Sequence, residues 1–245
     1  LSYTVFWGRE GGGRYGNLSP GLIKIKNSFV DGFNLNFSPD KVVNYKFTFV
    51  HGSGRDRFNP LNEYGYDFIN TYNLGKWQHQ YEIAHDTENP AIVARSNFID
   101  SKFSFSSELR DVSKKFQNIL GPGWSQGELG GLFVARYQPL DNLSTSTILN
   151  IYQDRLNPSV ENDNRWNEDL NWDLNYQFDK ETSMRAGYMF QNYLGKLSQS
   201  RFQGPSLGFN KQFQLFGKDV YSYIQYNRQE SKNYNSPTLD YINDK

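Results

Sequence analysis

The sequence predicts an all-β protein whose strands form one antiparallel sheet and follow one another up and down along the chain. Three observations support this fold class. Apolar and polar residues alternate with a period of two in one segment after another. Patterns with the period of a helix are scarce. Short connections also alternate with long ones, as expected when successive strands run in opposite directions.

The first third of the chain holds an extended opening segment, residues 1–7, and alternating segments at 33–37, 43–49 and 77–83. In the clearest of them, aromatic and branched side chains occupy every second position. These are Val43, Tyr45, Phe47 and Phe49, alternating with Asn44, Lys46 and Thr48. In a strand, this order gives one apolar side and one polar side.

The strongest alternation lies in residues 169–179. Its apolar positions are Leu170, Trp172, Leu174, Tyr176 and Phe178, and its polar positions are Asn171, Asp173, Asn175 and Gln177. In an α-helix these residues would scatter around the axis, so the segment is predicted to be a strand. Residues 184–191, 207–215 and 220–226 repeat the pattern and are predicted to be further strands.

One helix is predicted, over Glu108–Leu120. Its sequence, ELRDVSKKFQNIL, is rich in residues that favour helices, and it ends at Gly121-Pro122-Gly123. The other connections are turns or loops. The short ones are predicted at 38–41, 73–76, 99–101, 138–142, 179–182 and 216–219, and the long ones at 51–65, 86–91, 111–128, 153–168 and 194–203.

Composition excludes several classes of protein. The chain carries 26 basic and 26 acidic residues, so its net charge is zero, which argues against a nucleic-acid partner. Aromatic residues make up 17% of the chain, far more than in disordered proteins. Cysteine is absent, which excludes disulfides and a thiolate nucleophile. No apolar run is long enough for a transmembrane helix.

The alternating strands and the sorted connections resemble those of Gram-negative outer-membrane β-barrel proteins, which have short periplasmic turns and long extracellular loops. The resemblance covers residues 1–228 and implies an antiparallel up-and-down transmembrane β-barrel of about 12–16 strands in the bacterial outer membrane. Residues 1–245 are expected to form a single domain, with 229–245 a loop or an incomplete terminal segment. Because the chain opens inside a strand and ends in a polar stretch, we expect a segment of a larger barrel.

This resemblance assigns the two sides of each strand. The polar side is expected to line the lumen, and its candidates are Asn34, Asn36, Asn44, Lys46, Glu82, Asn171, Asp173, Asn175, Gln177, Arg185 and Gln191. The apolar side is expected to contact lipid, and its candidates are Phe33, Leu35, Tyr45, Phe47, Phe49, Leu170, Trp172, Leu174, Tyr176 and Tyr188. Charged side chains in a lumen bias which ions pass.

Three functions are compatible with this assignment. The first is an outer-membrane channel, a porin-like conduit with a polar lumen. The second is a non-conducting barrel that anchors or sheathes a protein partner in a larger assembly. The third is a soluble secreted protein that binds glycans through exposed aromatic residues. We expect no enzymatic activity, no cofactor and no resident metal ion.

Three motifs were weighed as sites of chemistry. Gly204-Pro205-Ser206-Leu207-Gly208 matches the nucleophile motif G-x-S-x-G, but a strand follows it where that motif needs a helix. His85-Asp86 resembles the His and acidic residues of omptin-type proteases, without a second acidic pair, so a solvated strand end is favoured. Residues 161–169 hold clustered oxygen ligands for Ca²⁺, but their spacing is not that of an EF-hand.

Overall fold

The computed structural model describes residues 1–9, 29–55, 60–114, 116, 127–155, 165–195 and 199–244. These residues form fourteen strands and one short 3₁₀ helix. The strands are β1 Ser2–Arg9, β2 Phe29–Phe37, β3 Val43–Arg55, β4 Pro60–Leu74, β5 Trp77–His85, β6 Pro90–Ile99, β7 Phe103–Val112, β8 Glu128–Leu140, β9 Leu143–Asp154, β10 Arg165–Gln177, β11 Thr182–Leu194, β12 Gln199–Leu215, β13 Lys218–Asn233 and β14 Tyr241–Asp244.

All fourteen strands belong to one antiparallel sheet, and their order in the sheet is their order along the chain. The predicted all-β, up-and-down arrangement is therefore confirmed. The predicted closure is not found: in the described part of the chain β1 and β14 are the two outer strands, and neither pairs with the other. A barrel forms only when its outer strands exchange backbone hydrogen bonds, so these strands alone make an open sheet.

The contacts group into two compact units, and the single domain expected from the sequence stays a prediction. Unit 1 comprises residues 1–96 and 108–129, and unit 2 comprises residues 97–107 and 130–245. Strands β6, β7 and β8 contribute residues to both units. Among the described residues, no helix is long and apolar enough to cross a membrane.

Several predicted loops are shorter than expected because the strands beside them are longer. Strands β3 and β4 continue their pairing as far as Arg55 opposite Pro60, which leaves residues 56–59 between them, although residues 51–65 were predicted as a loop. Strand β10 begins at Arg165 and β12 at Gln199, inside the predicted loops 153–168 and 194–203. Polar residues such as those at the start of β10 and β12 can form the backbone hydrogen bonds of a strand. Loop boundaries that were predicted from polar composition alone were therefore wrong.

The helix prediction is wrong where the structure describes that segment. Residues 108–112 complete strand β7, and residues 117–123 lie outside the described residues. In this stretch Glu108, Arg110 and Val112 alternate with Leu109 and Asp111, which is strand periodicity as well as part of a helical pattern. Ion pairs from Glu108 and Arg110 to neighbouring strands favour the strand, and these partners are distant in sequence.

The terminal segment, residues 229–245, was expected to be a loop or an incomplete terminal segment, and its described part contains strand. Strand β13 runs to Asn233, a 3₁₀ turn follows at Pro237–Leu239, and β14 pairs with β13 through residues such as Tyr241 opposite Ser231. The Asp240 carboxylate accepts a hydrogen bond of 2.6 Å from the backbone N–H of Asn233 and so closes this connection. A polar sequence with its own turn-forming aspartate can therefore form an edge hairpin.

Aspartate side chains also organise several of the short turns, and the short turns predicted from the sequence lie close to their observed positions. In the β10–β11 turn, the Asp179 carboxylate accepts a hydrogen bond of 2.8 Å from the backbone N–H of Glu181. This bond is the main reason that the pKa of the Asp179 carboxyl lies below its usual value, and Thr182 adds further hydrogen bonds. Accepting backbone N–H groups in this way is what favours aspartate in turns.

We expect Asp179→Ala to lower the urea midpoint of unfolding at pH 7. The pKa of Asp179 in the folded protein lies below the unfolded value of about 3.9, so the ionised carboxylate stabilises the fold above that pH. This stabilisation is lost as the pH falls through the folded-state pKa, and the two proteins should then unfold at the same midpoint. The matched control is Asp141→Ala in the β8–β9 turn, because the Asp141 carboxylate accepts no hydrogen bond from the described residues. An equal loss in both variants would contradict the role of Asp179.

Candidate functional site

In unit 1 the strand register brings the predicted polar residues onto one side of the sheet. Asn36 lies opposite Lys46, Lys46 opposite Ile69, and Ile69 opposite Glu82, so these side chains share a side across β2, β3, β4 and β5. Asn34 and Asn44 belong to the same side by their spacing. The predicted apolar residues occupy the other side, where Phe33 pairs with Phe49, Leu35 with Phe47 and Phe37 with Tyr45.

Unit 2 shows the same separation across β9 to β11. Asn175 lies opposite Arg185, and Gln191 lies opposite Asp169, while Asn171, Asp173 and Gln177 follow the same alternation. On the other side Trp172 lies opposite Tyr188, and Leu170, Leu174 and Tyr176 share that side. We call these two sides the polar side and the apolar side of each unit.

Exposure on the two sides of unit 1 is the reverse of that in a water-soluble sheet. On β4, Asp67 is 7% exposed and its neighbour Phe68 is 40% exposed. On β6, Val93 is 1% exposed and Ile92 is 51% exposed. At these positions the polar side is covered, and the large apolar side chains next to them are exposed.

The apolar side of unit 2 is also exposed. Trp172 and Tyr188 are each 36% exposed, and Ile224 is 68% exposed. The row containing Trp172, Leu174 and Tyr176 is therefore not packed inside a dry protein core. Exposed apolar surface of this kind is typical of regions that contact another protein, a ligand or a membrane.

Five charged side chains form a continuous row on the polar side of unit 1. We call this set, Glu82, Arg95, Glu108, Arg110 and Glu128, the ion-pair row. Arg95 donates to Glu82 at 2.9 Å and to Glu108 at 2.8 Å, and Arg110 lies 3.7 Å from Glu108 and 2.6 Å from Glu128. Acidic and basic groups alternate along it, from β5 through β6 and β7 to β8.

The ion-pair row is largely shielded from solvent. The side chains of Arg110, Glu82 and Glu128 are 9%, 13% and 17% exposed. Ion pairs of this kind gain more Coulomb energy than surface pairs, but their desolvation is costly, so each member depends on its partners. The row therefore holds the polar sides of four strands in a fixed arrangement.

Buried polar groups extend this site onto β3 and β4. Thr48 and Asp67 lie opposite each other in the register and are 4% and 7% exposed. The Thr48 hydroxyl and the Asp67 Oδ1 atom make no hydrogen bond to any of the described residues. Buried polar atoms without protein partners are the positions where ordered water is most often found.

A small apolar cluster covers the end of the polar side next to the long loops. It consists of Ala84, Ala91, Val112 and Phe116, all less than one-tenth exposed. The Ser113 N–H donates to the Pro90 carbonyl at 3.1 Å, and the Phe116 N–H donates to the Ser113 carbonyl at 3.2 Å. These bonds turn the chain after β7 and bring Phe116 to Ala84, Ala91 and Val112.

The site supplies fixed charges rather than reactive groups. No three His, Cys, Asp or Glu side chains come close enough together to hold a metal ion in the part of the chain that the structure describes. Ser206 lies within β12, opposite Gly187 and Asn227, which is not the sharp turn of a nucleophile elbow. Residues 161–164, which were considered as calcium ligands and for which a solvated loop was favoured, lie outside the described residues.

His85-Asp86 has a structural role in the β5–β6 turn. The Asp86 carboxylate accepts hydrogen bonds from the backbone N–H groups of Glu88 at 2.9 Å and Asn89 at 2.6 Å. The His85 ring stacks on Tyr66 with ring centres 5.4 Å apart and contacts the Asp86 carbonyl. Both residues are thus used in forming the turn.

Most of the ion-pair row was missed by the sequence analysis, which identified only Glu82. Arg95 lies in a strand that was not recognised as alternating, and Glu108 and Arg110 were assigned to a helix. The sequence does contain a signal for the side on which these arginines lie. Arg95 continues the series of every second residue that begins with Ala91 and Val93, and Arg110 stands two residues before Val112.

Comparisons with known proteins add no relative to this description. No model of a known protein family matches the chain, and no curated protein is similar to it. The class of the protein is therefore defined by its fold and its site: the described residues form an antiparallel meander of fourteen strands, and in unit 1 a row of paired charges on the polar side is shielded while large apolar side chains of the other side are exposed.

Proposed function

We propose that the chain is part of an outer-membrane β-barrel, with its apolar side against lipid and its polar side lining an aqueous conduit for small solutes. The observation that carries this proposal is the reversed exposure of neighbouring residues, such as Asp67 and Phe68. In water, exposing so many aromatic and aliphatic side chains while covering carboxylates would be unfavourable. In a bilayer the same arrangement is favourable, since the apolar side is then solvated by hydrocarbon.

The outer strands of the sheet add a second requirement to this proposal. Unpaired backbone groups are costly in hydrocarbon, so a spanning sheet has to close. Closure of this sheet requires partners for β1 and β14, either each other or further strands. Twelve of the strands have 9 to 17 residues, which is sufficient to span the hydrocarbon core, whereas β1 has 8 residues and β14 has 4.

A second function, a non-conducting barrel that anchors or sheathes a protein partner, is favoured by a different observation. The ion-pair row and the Phe116 cluster cover the polar side of unit 1, whereas an open pore would leave it in contact with water. A polar side stabilised in this way provides a rigid wall rather than a wide passage.

Reconstitution into a planar bilayer separates these functions. For a conduit we expect stepwise conductance after addition of the purified protein, and for an anchor we expect insertion without conductance. Insertion is measured separately, by flotation of the protein with vesicles on a density gradient. If the folded protein stays in the aqueous fraction, both membrane functions are wrong, and the glycan-binding interpretation becomes the one to test.

A further inference from the structure

A cleft of about 390 Å³ lies on the polar side of unit 2, at the end with the short turns. Its lining includes Ser104, Ser144, Ser146, Asn175 and the side chain of Arg136. Ser144 lies opposite Asn175 across β9 and β10, which places both on the polar side. Hydroxyl, amide and guanidinium groups from four strands thus converge on one space.

Arg136 differs from the arginines that carry ion pairs. Arg95, Arg110 and Arg185 each contact a carboxylate at less than 3 Å, whereas Arg136 makes no ion pair with any described residue. Its side chain is exposed to the cleft. A guanidinium group presents five N–H donors in a planar fork that matches the two oxygens of a carboxylate or a phosphate.

The other charges of the cleft leave it with a positive balance. Asp100 and Lys102 line it together with Arg136, so the charges sum to one positive charge. The Lys102 ammonium donates to the Pro139 carbonyl at 3.0 Å, and two of its three N–H donors remain for other partners. Serine hydroxyls add donors that are not charged and can rotate toward a bound oxygen atom.

We propose that this cleft binds a small oxyanion, held in the fork of Arg136 and by the hydroxyls of Ser104, Ser144 and Ser146. The shared chemistry is a compact group with two or more negatively charged oxygens, as in phosphate or a carboxylate. The proposal goes beyond the conduit function and does not depend on it, because the cleft lies within unit 2 alone. If the conduit function also holds, the site lies on the route of the solute.

The test is a titration of the folded, detergent-solubilised protein with inorganic phosphate. Binding is measured by NMR of the arginine side chains, which are labelled with ¹⁵N at Nε. We expect saturable binding that Arg136→Gln weakens by at least about tenfold, which corresponds to about 1.4 kcal/mol. Arg136→Lys keeps the charge but loses the fork, so it should lie between Arg136→Gln and the unchanged protein. A parallel titration with acetate shows whether the site binds carboxylates instead of phosphate. A titration with chloride shows whether the effect is one of charge alone.

The matched control is Arg228→Gln, which removes one arginine charge from unit 2 at a position outside the cleft. It should leave phosphate binding unchanged. Equal weakening by Arg136→Gln and Arg228→Gln, equal shifts with chloride and phosphate, or the lack of saturation would each overturn the proposal. Circular dichroism of every variant shows that it is folded. If Arg136→Gln does not fold, phosphate binding is measured with Ser146→Ala and Arg136→Lys instead, and both are expected to weaken it.

Discussion

Ile224→Lys is expected to prevent stable insertion of the protein into vesicles, while Tyr223→Lys on the neighbouring position of β13 leaves insertion intact. Ile224 lies on the apolar side opposite Phe209, and Tyr223 lies on the polar side opposite Asn210. A lysine on the lipid-facing side of a barrel costs about 2–4 kcal/mol near the bilayer midplane, and a lysine facing an aqueous interior costs little. Flotation of each variant with vesicles, followed by unfolding in urea, measures the difference.

This pair of variants separates lipid from water as the environment of the apolar side. Ile224 and Tyr223 are both well exposed, at 68% and 59%, so in water either lysine would be tolerated equally. Equal behaviour of the two variants would contradict the bilayer assignment. A loss of insertion with Tyr223→Lys alone would reverse the assignment of the two sides.

The second large effect is expected from Arg110→Met in the ion-pair row. The variant removes the 2.6 Å pair to Glu128 and leaves that carboxylate, 17% exposed, without its closest positive charge. Loss of one partner from a buried ion pair costs about 3–5 kcal/mol, and partial exposure of Glu128 places the expected loss near 3 kcal/mol. Urea unfolding followed by tryptophan fluorescence measures it as a lower midpoint.

Two further variants make this prediction specific. Adding Glu128→Gln to Arg110→Met removes the carboxylate charge that has lost its pair with Arg110, so part of the lost stability should return. Arg185→Met is the matched control, because Arg185 pairs with Asp173 at 2.7 Å but is 62% exposed, and exposed pairs contribute about 0–1 kcal/mol. If Arg110→Met and Arg185→Met lose the same stability, the row has no special structural role.

Local patterns in the sequence were sufficient for the alternating parts of strands such as β3 and β10 and for the side on which their residues lie. The alternation of Trp172 and Leu174 with Asp173 depends only on the pleat of one strand, and the register then placed Tyr188 and Arg185 as the alternation predicts. The short turns were also predictable, because aspartates such as Asp40 and Asp179 form turns through bonds to backbone N–H groups two or three residues away.

Local patterns could not predict where the strands end, or that the segment predicted as a helix begins as a strand. Helical and strand patterns overlap in Glu108–Val112, and the partners that favour a strand, Arg95 and Glu128, are 13 and 18 residues away from Glu108 and Arg110. The pairing of Arg55 with Pro60 likewise depends on how far the hairpin continues to find backbone partners. Such contacts are non-local, and a single segment carries no information about them.

The sequence by itself determined that its alternating segments are strands with one polar and one apolar side, because successive side chains of a pleated strand point to opposite sides. Only the tertiary structure decided which side is covered, which charges pair into a row, that Phe116 lies over the polar side, and that Arg136 is left beside a cleft. The physical reason is that burial and ion pairing depend on neighbouring strands, and register brings together residues that are far apart along the chain.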